Sequence, residues 1–127
     1  MAATINRPLA WAWLPVVACM GGIFYFSSIP GSHLPSLFSF QDVVFHFVVY
    51  FLLAYFFSRA LKVSCANLSS KKNVSFSVIF VIIYSLTDEF HQSFVPCRTV
   101  SGWDLVVNTL AGITGSYLRG RWHQGRA

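Results

Sequence analysis

The sequence predicts an all-α fold, a transmembrane four-helix bundle with both termini cytoplasmic, and three observations carry that expectation. The chain of 127 residues is 55% hydrophobic and only 10% charged, whereas an average soluble domain is roughly 25% charged. It therefore lacks the polar side chains that would cover a surface facing water. Four apolar stretches follow one another, each long enough to cross a bilayer as a helix and each bounded by short polar or Pro- and Gly-bearing segments. The cations, finally, fall almost entirely on alternate sides of those stretches. The length suits one domain, and the chain shows no internal repeat, low-complexity tract or nucleotide-binding glycine motif. The net charge of +5 comes without a basic stripe interleaved with aromatics, so no nucleic-acid partner is expected.

The first span covers about residues 9–28. It contains no Asp, Glu, Lys or Arg, and its length of about 20 residues gives about 30 Å of helix, the thickness of a hydrocarbon core. Trp11 and Trp13 suit the interface at its start. The stretch is long for a signal peptide and no A-x-A cleavage site follows, so it is expected to be retained. Gly21 and Gly22 either admit a neighbouring helix closely or merely loosen this one. Pro30, Gly31 and Pro35 then break the pattern, making residues 29–40 a connector. The second span covers about 42–61; Ser39 and Asp42 match a capping box, and Asp42, His46 and Tyr50 recur every four residues on one helix face. Arg59 and Lys62 close it. A polar loop, 63–73, leads to the third span, about 74–92, whose last turns carry Asp88, Glu89, His91 and Gln92 before Pro96 ends the helix. The fourth span, about 103–119, opens on a second Ser-x-x-Asp pattern, Ser101 and Asp104, and presents Ala111, Gly112, Gly115 and Ser116 as a small-residue face for tight packing or for dimer formation. The basic tail is expected to fray.

Four spans put both termini and the middle loop on one side. That side receives Arg7, Arg59, Lys62, Lys71, Lys72, Arg119, Arg121 and Arg126, eight of the nine Lys and Arg residues. By the positive-inside rule it is the cytoplasmic side. Arg98 and all four acids, Asp42, Asp88, Glu89 and Asp104, map to the opposite end. The three cysteines, Cys19, Cys65 and Cys97, have no metal-ligand spacing, and the topology keeps them apart, so no disulfide is expected.

Antiparallel packing brings like-sided helix ends together, so Asp42, His46, Asp88, Glu89, His91, Gln92, Arg98, Asp104 and Asn108 should converge at one mouth. Ionisable residues at membrane depth are costly and are functional candidates by default. Asp88, Glu89, His91 and Arg98 are the catalytic candidates, and Asp42, His46, Gln92, Asp104 and Asn108 the substrate-binding ones. Each also has a structural explanation. Asp42 and Asp104 suit helix N-termini and His91 a helix C-terminus. Asp88 and Glu89 sit at the wrong end for the helix dipole, and one of them could pair with Arg98. Arg98 is then either that partner or a clamp for an oxyanion or phosphate. His46 and Asn108 could be ordinary interhelical hydrogen-bonding groups. His33 and His123 look incidental. No metal is assigned, since Glu-x-His is not a zinc motif, and no cofactor is named.

The chain resembles the VanZ-like family of small bacterial membrane proteins over about residues 23–116. The residues that carry the resemblance are Asp42-x-x-x-His46 with Tyr50, Thr87-Asp88-Glu89-Phe90-His91-Gln92, Pro96-Cys97-Arg98, and Asp104-x-x-x-Asn108-x-x-x-Gly112-x-x-Gly115. Family members typically read D-E-x-H-Q, then P-G-R, then D-x-x-x-N-x-x-G. Two positions depart from that pattern: Cys97 stands where Gly is common, and Val43 where Lys often follows the Asp. The resemblance implies a multi-span protein of the bacterial inner membrane and a link to glycopeptide (teicoplanin) resistance. It supplies no reaction, so the enzyme question stays open.

Three functions fit these residues. The leading one is an outward-facing site that binds or acts on a lipid or a lipid-linked, phosphate-bearing envelope precursor. The alternatives are a small transporter or flippase, and a non-catalytic scaffold whose polar cluster is an ion-pair network. The partners expected are the bilayer, that ligand and a second copy of the chain.

Overall fold

A computed structural model of the chain describes residues 7–125. Arg126, counted above among the cations of one side, lies outside the described residues, as do the side chains of Arg7 and His123. The fold is all-helical: α1 (Arg7–Ser27), α2 (Gln41–Ser64), α3 (Ser70–Gln92) and α4 (Gly102–Gln124), with one 3-10 turn, Gly31–His33, between α1 and α2. The helices pack side by side. α2 touches all three others, α1 and α4 each also pack on α3, and successive helices are antiparallel.

Helix ends follow local capping, and three differ from the sequence expectation. The Ser39–Asp42 capping box does not form. A capping serine must stand directly before the first turn, but α2 begins at Gln41 with Phe40 as its cap in the left-handed region (φ 63°), leaving Ser39 one residue too early. Gln41 holds the connector instead, accepting from Leu37 N and donating to Pro35 O, both at 2.6 Å. α3 starts at Ser70, four residues before residue 74, because Ser69 caps it by accepting from Lys72 N at 3.3 Å. Ser101 does act at the start of α4, accepting from Trp103 N at 3.2 Å. At the end of α2, Lys62 Nζ donates to the carbonyls of Ala66 (2.7 Å) and Leu68 (2.8 Å), closing the turn into α3. α4 stays helical to Gln124 rather than fraying at residue 119.

The core is apolar and small. Ala12, Val16 and Ile23 of α1 meet Leu53 and Ala54 of α2, Val81 of α3 and Ala111 of α4. Phe57 and Phe80 stack with centroids 4.0 Å apart. The small-residue face of α4 is buried inside the chain. A Cβ on Gly112 would stand 3.1 Å from Val81, and one on Gly115 would run into the Phe51 carbonyl, so α4 approaches α2 backbone to side-chain depth. That face is therefore occupied and is not free for a second copy. Gly21 and Gly22 have nothing within 4 Å of an added Cβ, so they admit no close neighbour.

Polarity is distributed inside out. Ser58, Asn73, Ser77, Ser85, Asp88, Gln92, Asn108 and Ser116 are buried, while Leu14, Val17, Leu52, Ile79, Ile83, Leu110 and Ile113 are exposed. By length and composition α1, α2 and α3 are apolar enough to cross a membrane. α4 is as long but falls short in apolarity, because its inward face is built from Asn108, Gly112, Gly115 and Ser116; its outward face carries Val106, Leu110, Ile113 and Tyr117.

Gly115→Ala is expected to lower stability by about 1–3 kcal/mol through overpacking against the Phe51 backbone. Gly21→Ala should be neutral or gain up to about 1 kcal/mol from its better helix propensity. Thermal unfolding of both variants in one detergent measures the difference.

Candidate functional site

At the end of the fold where α1 and α3 stop and α2 and α4 begin, Asp88 is 6% exposed and sits between α1 and α2. Its Oδ1 accepts from Ser27 Oγ, and its Oδ2 accepts from Tyr50 OH at 2.9 Å. Gln92, one turn along α3, donates from Nε2 to Ser27 Oγ at 3.1 Å. Asp88, Ser27, Tyr50 and Gln92 thus form one buried network across three helices. A buried carboxylate needs such donors, because leaving it bare is costly. Asp88 and Gln92 are among the residues the sequence singles out, and Tyr50 lies on the α2 face its spacing predicts. Ser27, which closes the network from the last turn of an otherwise apolar helix, carries no such signal in the sequence.

Glu89 faces the other way. Asn108 Nδ2 donates to Ser85 Oγ at 2.8 Å, and Gly112 packs on Val81. The same antiparallel register sets Glu89, one turn past Ser85, opposite Asp104, one turn before Asn108. His46 of α2 completes the group. Glu89 interacts electrostatically with Asp104, His46 and Asp88, and Asp104 with His46, Asp42 and Asp88. Among the described residues, three buried side-chain atoms have no hydrogen-bond partner: His46 Nδ1, Glu89 Oε1 and Asn108 Oδ1.

Arg98 does not bridge Asp88 or Glu89. Its Nε donates to Ile29 O at 3.0 Å and its guanidinium also donates to Phe26 O, so it caps the carboxyl end of α1. The last carbonyls of a helix lack intrahelical donors and carry partial negative charge, which makes them natural partners for a cation arriving from the α3–α4 loop. The loop reaches that point through a turn in which Cys97 has φ 60°. This left-handed conformation explains why glycine is common there in chains of the resembled pattern. The turn is clamped to the α1–α2 connector by Gly31 N donating to Pro96 O at 3.0 Å, and a Cβ on Gly31 would collide with the Cys97 carbonyl. His91 also parts from the cluster. Three residues beyond Asp88 it is turned about 300° around the helix; it stacks on Phe24 with centroids 4.6 Å apart, and its Nε2 is 2.9 Å from Ser28 Oγ.

Two adjoining cavities open on these residues. The first, about 390 Å³, lies between α1 and α2 and is lined mainly by apolar side chains, among them Ile23, Phe26, Leu34, Phe45, Val48 and Val49, with Asp88, Ser27 and Tyr50 at its inner wall. The second, about 640 Å³, is polar and lies under the two loops, lined by Ser36, Asp42, Cys97, Thr99, Ser101 and Asp104 among others. Gln41, Asp42, His46, Gln92 and Arg98 line both, so an apolar chamber and a polar vestibule adjoin at these side chains. Among the described residues no group of three His, Cys, Asp or Glu side chains is placed to hold a metal ion. The vestibule can accept hydrogen bonds and positive charge, and a carboxylate beside a histidine can move a proton.

Asp88→Ala should cost about 1–3 kcal/mol, since it strands the Ser27 and Tyr50 hydroxyls. Glu89→Gln removes a carboxylate with an unpartnered oxygen and should change stability by no more than about 0.5 kcal/mol. A loss near 3 kcal/mol for Glu89→Gln in thermal unfolding would instead mark a broken buried ion pair. Cys97→Gly, in the same assay, is expected to gain about 1 kcal/mol by relieving the left-handed backbone.

No curated protein and no solved structure matches the chain. The family model described as VanZ/LLP1 matches residues 12–120, nearly the whole length and all four helices. With its apolar helices and inverted polarity, the chain is a helical membrane protein that belongs to the VanZ/LLP1 family.

Proposed function

We propose that the protein is a four-span component of the bacterial inner membrane that binds a lipid or lipid-linked envelope precursor at its outward-facing end. The observation that carries the reading is the pair of adjoining cavities: an apolar chamber between α1 and α2 beside a polar vestibule at the helix ends, with Asp42, His46 and Arg98 lining both. A ligand matched to that space is apolar along its length and polar at one end, as lipids are. The chamber's size falls within the range of about 300–1,000 Å³ common to small-molecule sites. The outward face of α4 is apolar enough to meet acyl chains, which supports its counting as a fourth span. Arg59, Lys62, Lys71, Lys72, Arg119 and Arg121 gather at the end opposite the vestibule, which supports cytoplasmic termini. A link between the family and glycopeptide resistance fits a protein that handles an envelope lipid.

Binding is favoured over transport by the contents of the opposite end. There Asn73 is fully engaged: its Oδ1 accepts from Ser58 Oγ at 2.7 Å and its Nδ2 donates to Ser58 O at 3.0 Å. Between that pair and the Asp88 network the buried polar side chains Ser77 and Ser85 are separated by Val81, which with Leu53 and Ala111 is fully buried and apolar. A polar path across the fold would have to pass them. Binding is favoured over a scaffold because Arg98 is committed to α1 carbonyls rather than to the acids.

Native mass spectrometry of the protein extracted in mild detergent should show one lipid-sized adduct per chain. Val48, half exposed and lining the chamber, can take a large ring without crowding the core. Val48→Trp should lower the adduct's occupancy at least about tenfold, the loss of roughly 1.4 kcal/mol of binding, with thermal stability preserved. Unchanged occupancy would place the lipid elsewhere.

A further inference from the structure

The head-group end of this site has an unusual charge balance. Asp42, Asp104 and His46 line the vestibule, and Glu89 stands behind them within electrostatic reach of Asp104 and His46. Among the described residues Arg98 is the single Lys or Arg in the walls, and part of its guanidinium is directed at the Phe26 and Ile29 carbonyls. The unpartnered atoms add to this picture. Asn108, fully buried one turn below Asp104 on the same α4 face, has Oδ1 unpartnered, and so has His46 at Nδ1 and Glu89 at Oε1. A carboxylate oxygen and an amide oxygen can only accept a hydrogen bond, and a neutral imidazole nitrogen can accept one. Buried acceptors of this kind are normally satisfied. Of these three groups His46 lines the cavities while Glu89 and Asn108 stand behind the wall, and the lining itself is short of positive charge.

Three kinds of group would supply charge. A metal ion needs several ligands closing on one point, and no three acidic, histidine or cysteine side chains among the described residues do so. A quaternary ammonium brings charge but no N–H donor. A primary ammonium brings both, as three donors on a compact cation. A bare phosphate brings negative charge into a wall of carboxylates, where like charges repel.

We propose that the site selects amphiphiles whose head carries a primary ammonium, with the chain in the apolar chamber and the ammonium among Asp42, His46 and Asp104. The inference rests on the lipid-binding reading above and names the head group that reading leaves open. It assigns Asp42 and Asp104 as the residues that set head-group selectivity, and gives Glu89 the role of raising the negative potential behind them.

The test is equilibrium binding of the purified full chain in a maltoside detergent to probes that share a twelve-carbon chain: dodecylamine, dodecyltrimethylammonium, dodecyl phosphate and dodecanol. Ethanolamine serves as a chainless amine. Dodecylamine is expected to bind about 10–100-fold tighter than dodecanol, as charge-assisted hydrogen bonds imply. Dodecyltrimethylammonium should fall well below it and ethanolamine should not bind. Asp104→Asn should erase most of the difference between amine and alcohol while leaving dodecanol binding intact. Asp42→Asn, at an exposed rim position, should reduce it as well and guards against a folding defect in the first variant. Tightest binding by dodecyl phosphate, or equal binding by the trimethylammonium probe, overturns the ammonium assignment and leaves the lipid reading standing. Ethanolamine binding as tightly as dodecylamine overturns the chain's role and points to a soluble amine. Failure of every chain-bearing probe overturns both readings.

Discussion

Every polar group in this fold must find its partner within the chain, because the surface it turns outward is hydrocarbon. In water an unsatisfied side chain can be solvated at the surface; on helices sheathed in Leu, Val, Ile and Phe it cannot. That constraint explains where the polar residues go. Asn73, Ser58 and Ser77 close on one another at one end. Asn108 reaches Ser85 in the middle. Ser27, Tyr50, Gln92 and Asp88 lock three helices together near the other end. The serines of the helix interiors largely follow the same rule locally, with Ser116 donating to Gly112 O at 2.7 Å. These bonds are modest singly, about 1 kcal/mol each, but their absence would be expensive, so they fix the register of the helices.

Against that background the exceptions carry meaning. The satisfied groups lie along the fold; among the described residues the unpartnered atoms are His46 Nδ1 at the vestibule wall and Glu89 Oε1 and Asn108 Oδ1 behind it. A protein selected for stability alone would have paired or removed them. Natural proteins break the rules of satisfaction where they bind or react. The same end also holds the left-handed Phe40 and Cys97, two further departures from unstrained geometry. Both shape the loops that roof the vestibule.

Much of this was legible in the sequence. The four helices, their order, the convergence of the acids and the tight face of α4 follow from hydrophobic length, helical spacing and small-residue placement. The limits of that reading have physical causes. Ser27 looks like any serine at a span's end; only the depth at which α1 meets α3 makes it Asp88's donor. His91 and Asp88 share a helix flank by spacing, yet the remaining 60° of rotation sends one toward Phe24 and the other into the core. For Arg98 the sequence leaves open a carboxylate partner or an oxyanion clamp. The turn at Cys97 instead delivers it to helix carbonyls, which offer several partial charges at closer range. The capping box at Ser39 failed for a single residue of phase.

The clamp between the two loops has a consequence for how the protein is made. Gly31 meets Pro96 and Cys97, and Arg98 meets Phe26 and Ile29, so the roof of the vestibule joins segments about seventy residues apart in the chain. Contacts of such wide separation form late, once loop closure has been accomplished. During synthesis the first two helices can insert as a hairpin, but they enclose no vestibule. Only when α3 and α4 arrive does the second loop reach back over the first. The roofed vestibule is therefore a product of complete assembly, and a nascent chain halted after α2 would leave the end of α1 without its Arg98 cap.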